Sequence, residues 1–451
     1  MKKLILFLSV ISSFASCKKF LDSKPDASLV IPSGVDDLQK LLDNNMFMNT
    51  IGGGSGEASA DNYYLTYTDW NALSDGGRNL YTWGDEIFFD LLQNEWAANY
   101  NTVNRANIVL DYLDKISIDS NEMEEFKNVK GSALLFRAKA FYHLLQSFCK
   151  AWDAATAQND LGICLRLDPD FNTPSVRASV KDSYDQLVND LKQACSLLPV
   201  TPQYKTRPSK PAAYGLLSKS YLAMRNYSQA ELYADSCLQL YNSLMNYNAD
   251  PSIAATASFP FSLFNAETIW YTTSNTPSPL SQSKAKVDSA LYNSYDANDL
   301  RRSLFFKTNT DGSHAFKGSY THNSALFTGI ATDEIYLIRA ECNARLGNTS
   351  EALDDLNAVI SKRWKTNTFV SITATDANDA LNKILIERRK ELLFRDIRWS
   401  DIKRLNKEGA DIMITRDLNN QVYELSPGDN RYALPLPKKV IDLTGMPQNP
   451  R

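Results

Sequence analysis

Aromatic side chains are concentrated between residues 61 and 100. Ten of these forty residues are Phe, Trp or Tyr, whereas the overall aromatic content of 11 % would place about four there. Tyr63, Tyr67 and Trp70 lie here in a Gly-rich stretch, with Asp61 and Arg78 close by. An aromatic ring can stack on the C–H-rich face of a sugar, and Asp and Arg can hydrogen-bond its hydroxyls. We therefore expect these five residues to bind a ligand from a loop, with core packing as the alternative.

A second aromatic group lies in the region 245–330, which is rich in Asn, Ser, Thr and Pro and has no long helical period. Long stretches of this kind are usually functional loops. Trp270 and Tyr271 are ligand-binding candidates there, and Tyr292 and Tyr295 are of the same kind. We expect Trp70 and Trp270 to be exposed on loops, whereas Trp96 falls in a helical pattern and is assigned to the core.

The sequence carries no motif for catalysis or for metal binding. The glycines at 52–56 lack the Lys-Ser/Thr of a phosphate-binding loop, and HExxH and GxSxG are absent. Residues 168–172 begin like a calcium loop, but Thr173 stands where Gly is needed. We predict no catalytic residue, no metal site and no cofactor, although a chance pair among 52 carboxylates leaves glycoside hydrolysis open. The net charge of -4 argues against nucleic acid as a partner.

The first residues have the layout of a secretory signal. Two lysines precede twelve apolar residues, and small residues then lead to Cys17. This arrangement is similar to a bacterial lipobox, in which the cysteine is acylated. We therefore predict a signal peptide at 1–16, lipidation of Cys17 and a polar tether at 17–34. The alternative is an ordinary signal peptide with an incidental cysteine.

Two segments repeat one helical pattern at an offset of 122 residues. Tyr214, Ser218 and Ala230 correspond to Tyr336, Ala340 and Ala352. The spacing of aromatic, small residue and Ala matches the tetratricopeptide repeat, in which small residues let two helices approach closely. A third helix pair is expected from 134–141 and 182–199.

These patterns predict a mainly α fold, a tetratricopeptide-like scaffold with an irregular, loop-rich, ligand-binding lobe. The predicted divisions after the tether are a helical scaffold at 35–244 with an aromatic-rich loop at 49–86, the irregular lobe at 245–330, and a helical repeat with an extended tail at 331–451.

Three stretches carry a resemblance to a known family. They are the start at 17–25 (CKKFLDSKP), the helical stretch 387–404 (ERRKELLFRDIRWSDIKR), and the ending with Leu434-Pro-Leu-Pro437 and Gln448-Asn-Pro450. In this order and spacing they resemble the SusD/RagB family of Bacteroidetes outer-membrane lipoproteins, along essentially the whole chain. Arg395 and Asp396 stand where the family pattern has Glu-Gly, so we expect a looser turn there.

The resemblance implies a non-catalytic nutrient-binding lipoprotein that is anchored by lipid in the outer membrane and exposed at the cell surface. It also implies a SusC-like TonB-dependent transporter as partner and an oligosaccharide, or in some members a peptide, as ligand. A peptide-binding tetratricopeptide scaffold is the alternative, and a glycoside hydrolase the third.

Overall fold

The computed structural model describes residues 34–50, 53–88 and 94–451. Helices dominate these residues, and the predicted mainly α fold is confirmed. The helices are α1 (Val35–Leu42), α2 (Asn45–Met48), α3 (Ser55–Ser59), α4 (Tyr67–Asn71), α5 (Asp75–Tyr81), α6 (Glu95–Leu113), α7 (Met123–Phe148), α8 (Val180–Leu197), α9 (Lys210–Ala223), α10 (Tyr227–Leu240), α11 (Ser289–Asn293), α12 (Arg301–Leu304), α13 (Thr332–Leu346), α14 (Thr349–Ile360), α15 (Ala377–Glu391), α16 (Arg398–Asn406) and α17 (Lys438–Thr444).

The strands are short and form two-stranded antiparallel pairs. They are β1 (Tyr63–Tyr64), β2 (Thr268–Trp270), β3 (Thr273–Ser274), β4 (Lys286–Val287), β5 (Phe306–Thr308), β6 (His314–Phe316), β7 (Leu326–Phe327), β8 (Ile330–Ala331), β9 (Ile414–Leu418) and β10 (Gln421–Leu425). β1 pairs with β4, β2 with β8, β3 with β7, β5 with β6, and β9 with β10. All but the last pair involve the region 245–330, which is therefore irregular but folded.

The helical repeat lies where the sequence places it. Helices α9 and α10 pack together as one pair and α13 and α14 as another, and α10 packs against α13. Ser209 starts α9 because its hydroxyl accepts a hydrogen bond from the backbone N–H of Ala212 at 3.3 Å. Gly347 ends α13 in the left-handed conformation (φ 87°) that favours glycine.

Small residues set the distance between the paired helices. Ser218, Ala230, Ala340 and Ala352 are all fully buried, as the repeat pattern requires. A Cβ atom on Gly215 would lie only 2.6 Å from Cγ2 of Ile330, so a larger residue at that position would push β8 away from α9. The third expected pair is present as α7 and α8, which also pack together.

The stretch 49–86 differs from the expected loop because it holds three short helices and β1. Thr66 and Ser74 each accept a hydrogen bond from a backbone N–H three residues on, which starts α4 and α5 in spite of the glycines. Helices of five to seven residues show no resolvable period, so the sequence pattern of this stretch indicates a loop.

Helix α3 is buried throughout and brings carboxyl groups together. Glu57 accepts a hydrogen bond from the Asn62 amide at 2.8 Å. Glu95 accepts one from the backbone N–H of Ser55 at 3.1 Å, and Asp396 accepts one from the backbone N–H of Glu57 at 3.4 Å. Burial raises the pKa of Glu57 and of Glu95 to about 7, and that of Asp396 to about 6.

The replacement of Glu-Gly by Arg395 and Asp396 does not loosen the turn, contrary to expectation. Asp396 adopts the left-handed conformation (φ 59°) in which glycine is favoured. Its carboxylate holds the start of α3, while both terminal nitrogens of Arg395 donate to Asp333, at 3.0 and 2.7 Å. Hydrogen bonds from both side chains thus fix the turn.

Substituting Ala352 by Trp should lower the free energy of unfolding by at least about 1–3 kcal/mol, because the buried space between α13 and α14 cannot take a larger side chain. The exposed neighbour Glu351 gives the control, since Glu351→Trp adds the same side chain on the solvent side. Chemical denaturation of the two variants measures the difference. Equal stabilities would show that the repeat register is wrong.

The raised pKa of Glu57 predicts a pH-dependent stability. The pKa in the folded state, about 7, lies above the ordinary value of 4.5, so the folded protein binds this proton more tightly than the unfolded chain. The stabilisation is present at low pH and declines as the pH rises from about 4.5 to 7. Between pH 5 and 7.5 the Glu57→Gln variant should lose less stability than the wild type, by on the order of 1–3 kcal/mol.

Urea unfolding at the two pH values measures this difference. Glu351→Gln, at an exposed position, should retain the pH dependence of the wild type. If Glu57→Gln also retained it, Glu57 would be ionised in the folded protein at both pH values.

Candidate functional site

Strand β1 turns one tyrosine inward and the next outward. Tyr63 is 1 % exposed and its hydroxyl donates to the backbone carbonyl of Ala58 at 2.6 Å, whereas Tyr64 is 37 % exposed. The antiparallel register with β4 places Lys286 opposite Tyr64. Exposed Tyr64 and buried Lys286 therefore lie side by side and line one edge of a surface groove.

The groove has a volume of about 400 Å³. Its lining combines aromatic rings with short polar side chains: Tyr64, Thr66, Lys286, Tyr292, Asp311 and His314. Helix α11 positions Tyr292, and it begins at Asp288, whose carboxylate accepts a hydrogen bond from the backbone N–H of Leu291 at 2.8 Å. The His314 ring from β6 stacks on Tyr292 with centroids 3.4 Å apart and planes at 15°.

Two carboxylates lie at the groove: Asp311 is in its lining, and Asp69 pairs with the lining residue Lys286. Burial opposes the charge on Asp69, but hydrogen bonds from Thr66 and Lys286 outweigh it, so its pKa is lowered. Hydrogen bonds from Ser313 lower the pKa of Asp311. Burial and the charge of Arg302 lower the pKa of His314, which keeps its ring neutral at pH 7. The groove thus offers carboxylate acceptors beside an uncharged aromatic stack.

Helix α4 continues this surface with a second group of rings. Tyr67 is 44 % exposed and lies 5.9 Å from Trp70, centroid to centroid. The indole N–H of Trp70 donates to the carbonyl of Arg78 at 3.4 Å, and the Arg78 guanidinium lies 5.9 Å from the indole ring. Asp69 of the same helix pairs with Lys286 of the groove at 2.9 Å, which ties the two aromatic groups together.

Asp61 holds arginines and does not face the groove. Both of its carboxylate oxygens accept hydrogen bonds from Arg398 at 2.7 Å, and Arg389 lies 3.2 Å away. Burial opposes this charge, but Arg398 and Arg389 lower the pKa of Asp61 to about 2. Asp61 is therefore a constantly ionised member of an ion pair.

The expectation that Trp270 is exposed on a loop is wrong. Trp270 is fully buried in β2, where its indole N–H donates to the carbonyl of Thr206 at 3.1 Å and its ring packs against Phe136. Thr268 and Ile269 of the same strand are buried too, whereas Tyr271, which follows the strand, is half-buried and contacts Phe264 at the surface. Tyr295 is buried as well, and Trp96 is in the core as expected.

The structure thus brings Tyr67, Trp70 and Arg78 together, and places Tyr63, Asp61, Trp270 and Tyr271 elsewhere. Sequence reasoning missed Lys286 and His314 as groove residues, and did not separate Tyr64 from Tyr63. The alternation along β1 is the signal that could have separated the two tyrosines. No local pattern joins Tyr64 to His314, which is 250 residues away along the chain.

One carboxylate cluster has the spacing of a metal site. Among the described residues, ligand oxygens of Glu267, Asp333 and Glu391 lie within 4.8 Å of one another. Arg363 contacts Glu267 and Glu391 at 2.8 and 2.7 Å, and Arg395 contacts Asp333. Guanidinium groups therefore already balance these charges, and the cluster is part of an ion-pair network.

Residues 34–50, 53–88 and 94–451 include no helix that combines the length and hydrophobicity needed to span a bilayer. The predicted signal peptide and Cys17 lie outside the described residues.

Two family models together match nearly the whole chain. The first, described as starch-binding associating with outer membrane, matches residues 19–222, and the second, the SusD family, matches residues 240–451. A curated relative is the SusD-like protein P2 of Formosa agariphila, which is 24 % identical over 436 residues and covers 82 % of each chain.

Solved structures share the fold. A SusD superfamily protein from Bacteroides thetaiotaomicron has a TM-score of 0.75 at 21 % identity, over 93 % of this chain and all of its own. A laminarin-binding SusD-like protein has a TM-score of 0.63 at 17 % identity, over 92 % of this chain and 97 % of its own. From the motifs, the matching family models and the shared fold, it follows that this chain belongs to the SusD/RagB family of outer-membrane-associated carbohydrate-binding proteins.

Proposed function

We propose that the protein binds oligosaccharides without cleaving them and passes them to a SusC-like TonB-dependent transporter in the outer membrane. The observation that carries the proposal is the groove, where partly exposed rings stand beside ionised carboxylates and amide or hydroxyl groups. Family membership supports the carbohydrate ligand and the outer-membrane location.

Ring stacking should supply most of the affinity. A hydrogen bond between a sugar hydroxyl and the protein replaces one to water, so each contributes only about 1 kcal/mol. The exposed faces of Tyr64, Tyr67 and Trp70 can cover the apolar faces of successive sugar rings. The groove at Tyr64 has a volume of about 400 Å³, and Tyr67 and Trp70 of α4 extend the surface beyond it. A short glycan chain therefore suits this surface better than a single sugar.

The polar groups of the groove fit a neutral glycan. Lys286 is neutralised by Asp69 at 2.9 Å, and Asp311 is held by the Ser313 hydroxyl at 2.5 Å. Carboxylates accept two or more hydrogen bonds, so both can still accept from sugar hydroxyls. The two carboxylates therefore act as fixed acceptors, and no water activation is assigned to either.

Substituting Tyr64 or Trp70 by Ala should weaken glycan binding at least tenfold, which corresponds to about 1.4 kcal/mol. Both side chains are partly exposed, so the fold should be retained. Calorimetric titration with laminarihexaose and maltohexaose measures the affinity. Phe171→Ala is the matched control, because Phe171 is an 89 % exposed ring outside the groove.

Three outcomes would contradict the proposal. Unchanged glycan affinity in both groove variants would place the site elsewhere. Binding of peptides but not of any glycan on an array would favour the tetratricopeptide scaffold as a peptide receptor. Release of shorter sugars during the titration, detected by chromatography, would identify a hydrolase.

The membrane anchor is tested at Cys17. The thiol is the acylation site in this proposal, and each buried CH₂ of an acyl chain contributes about 0.8 kcal/mol to membrane attachment. Cys17→Ser should therefore move the protein from the membrane fraction to the soluble fraction, as measured by immunoblotting. Cys195→Ser, which changes a buried cysteine of α8, should stay in the membrane fraction. Unchanged partition of Cys17→Ser would exclude lipidation at this residue.

A further inference from the structure

A second cavity, of about 560 Å³, lies on the other side of α11. Ser289, Tyr292 and Asn293 of this helix line the aromatic groove, whereas Ala290 and Leu291 line the second cavity. Helix α15 and the segment 405–412 form its remaining walls. The two cavities are thus neighbours with different linings.

Two arginines of the second cavity share one carboxylate. Arg398 donates to Asp61 through Nε and Nη2, and Arg389 contacts Asp61 and Asn62 through the same two nitrogens. In the part of the chain that the structure describes, Nη1 of each guanidinium has no hydrogen-bond partner. A planar guanidinium normally binds carboxylates through paired N–H groups, so each arginine retains a donor for a further acceptor.

The charges around Asp61 leave a positive excess. Arg416 also lies close enough to Asp61 to lower its pKa, together with Arg398 and Arg389, against the effect of burial. Lys390, which lines the cavity, is already paired with Glu387 at 2.8 Å. Asp288 is the one acidic residue among the residues that line the cavity, against three basic ones, Arg389, Lys390 and Arg398. The floor of the cavity therefore favours an anion.

The walls of the cavity are aliphatic. Ile386 is 57 % exposed, although it is a large apolar residue, and Leu385 and Ile412 stand beside the same space. Aliphatic walls do not offer the flat ring faces on which sugars stack, but they cover hydrocarbon well. A ligand with an anionic group, which binds at the floor of the cavity, and an apolar part, which lies against the walls, matches both features.

We propose that this cavity is a second binding site, which takes an aliphatic carboxylate: its carboxyl group bridges Nη1 of Arg389 and Nη1 of Arg398, and its hydrocarbon part lies against Ile386. The site is independent of the glycan groove, so its test does not depend on the proposed function.

Sodium hexanoate is the probe, titrated into the full-length protein at constant ionic strength and followed by ligand-observed NMR and calorimetry. Acetate has the carboxyl group without the chain, and hexanol has the chain without the charge. Hexanoate should bind at one site at least tenfold more tightly than either. Glucuronate is included because the carboxyl group could belong to an acidic sugar. If glucuronate bound more tightly than hexanoate, the ligand would be an acidic sugar, and the proposal of an aliphatic carboxylate would be overturned.

Two variants of Ile386 differ only in charge. Ile386→Asp places a negative charge at the cavity mouth and should abolish hexanoate binding, whereas Ile386→Asn should weaken it only a few-fold. Both changes are at an exposed position of α15, so neither threatens the fold. Arg389→Gln should weaken binding at least tenfold, and Arg389→Lys should restore part of it. Lys383→Gln, on the same helix outside the cavity, should bind hexanoate as the wild type does.

Absence of hexanoate binding to the folded wild type would overturn the proposal. Equal hexanoate affinities of Ile386→Asp and Ile386→Asn, or full affinity in Arg389→Gln, would show that the ligand binds elsewhere. Loss of glycan binding in the groove variants with hexanoate binding intact would confirm that the two sites are separate.

Discussion

Arg363 holds two fully buried carboxylates at once, Glu267 before β2 and Glu391 at the end of α15, at 2.8 and 2.7 Å. Arg301 of α12 contacts the same Glu391 at 3.0 Å. Although burial opposes charge, these two guanidiniums keep the pKa of Glu391 below its ordinary value. Removing one partner from such a network leaves an unpaired buried charge, at a cost of about 3–5 kcal/mol. The irregular region and the helical repeat therefore fold as mutually dependent parts.

This dependence explains how short strands and one-turn helices can hold the residues of the groove in place. Isolated two-stranded sheets and five-residue helices have little stability of their own. Helix α11 and strands β4 and β6 are held because the region around them is fixed to α15 by Arg301 and by Tyr295, whose hydroxyl donates to the carbonyl of Lys390 at 2.7 Å. For the proposed ligand of the groove, rigid placement of Tyr292 and His314 lowers the entropy lost on binding.

The helices could be predicted from the sequence, but the groove could be predicted only in part. Period and small-residue spacing are local, so the pairs α9–α10 and α13–α14 could be located to within a few residues of their ends. Tyr67, Trp70 and Arg78 also meet within one short segment. The burial of Trp270 cannot be predicted locally, because it depends on the face of β2 that meets α7. Its ring packs against Phe136, which lies 134 positions earlier in the chain. The place of His314 in the groove cannot be predicted locally either, because the fold brings its ring against that of Tyr292.

The exchange of Glu-Gly for Arg395 and Asp396 shows how a departure from a family pattern can be absorbed. A left-handed residue with a side chain costs roughly 1–2 kcal/mol. Asp396 offsets this by accepting hydrogen bonds at the start of α3, and Arg395 by donating two to Asp333. Because α3 leads directly through Asp61 to Tyr64, the exchange fixes the segment that supplies Tyr64 to the groove and Asp61 to the arginines of the second cavity. The position of β1, and with it of Tyr64 in the proposed binding surface, therefore depends on buried charge that no surface residue reveals.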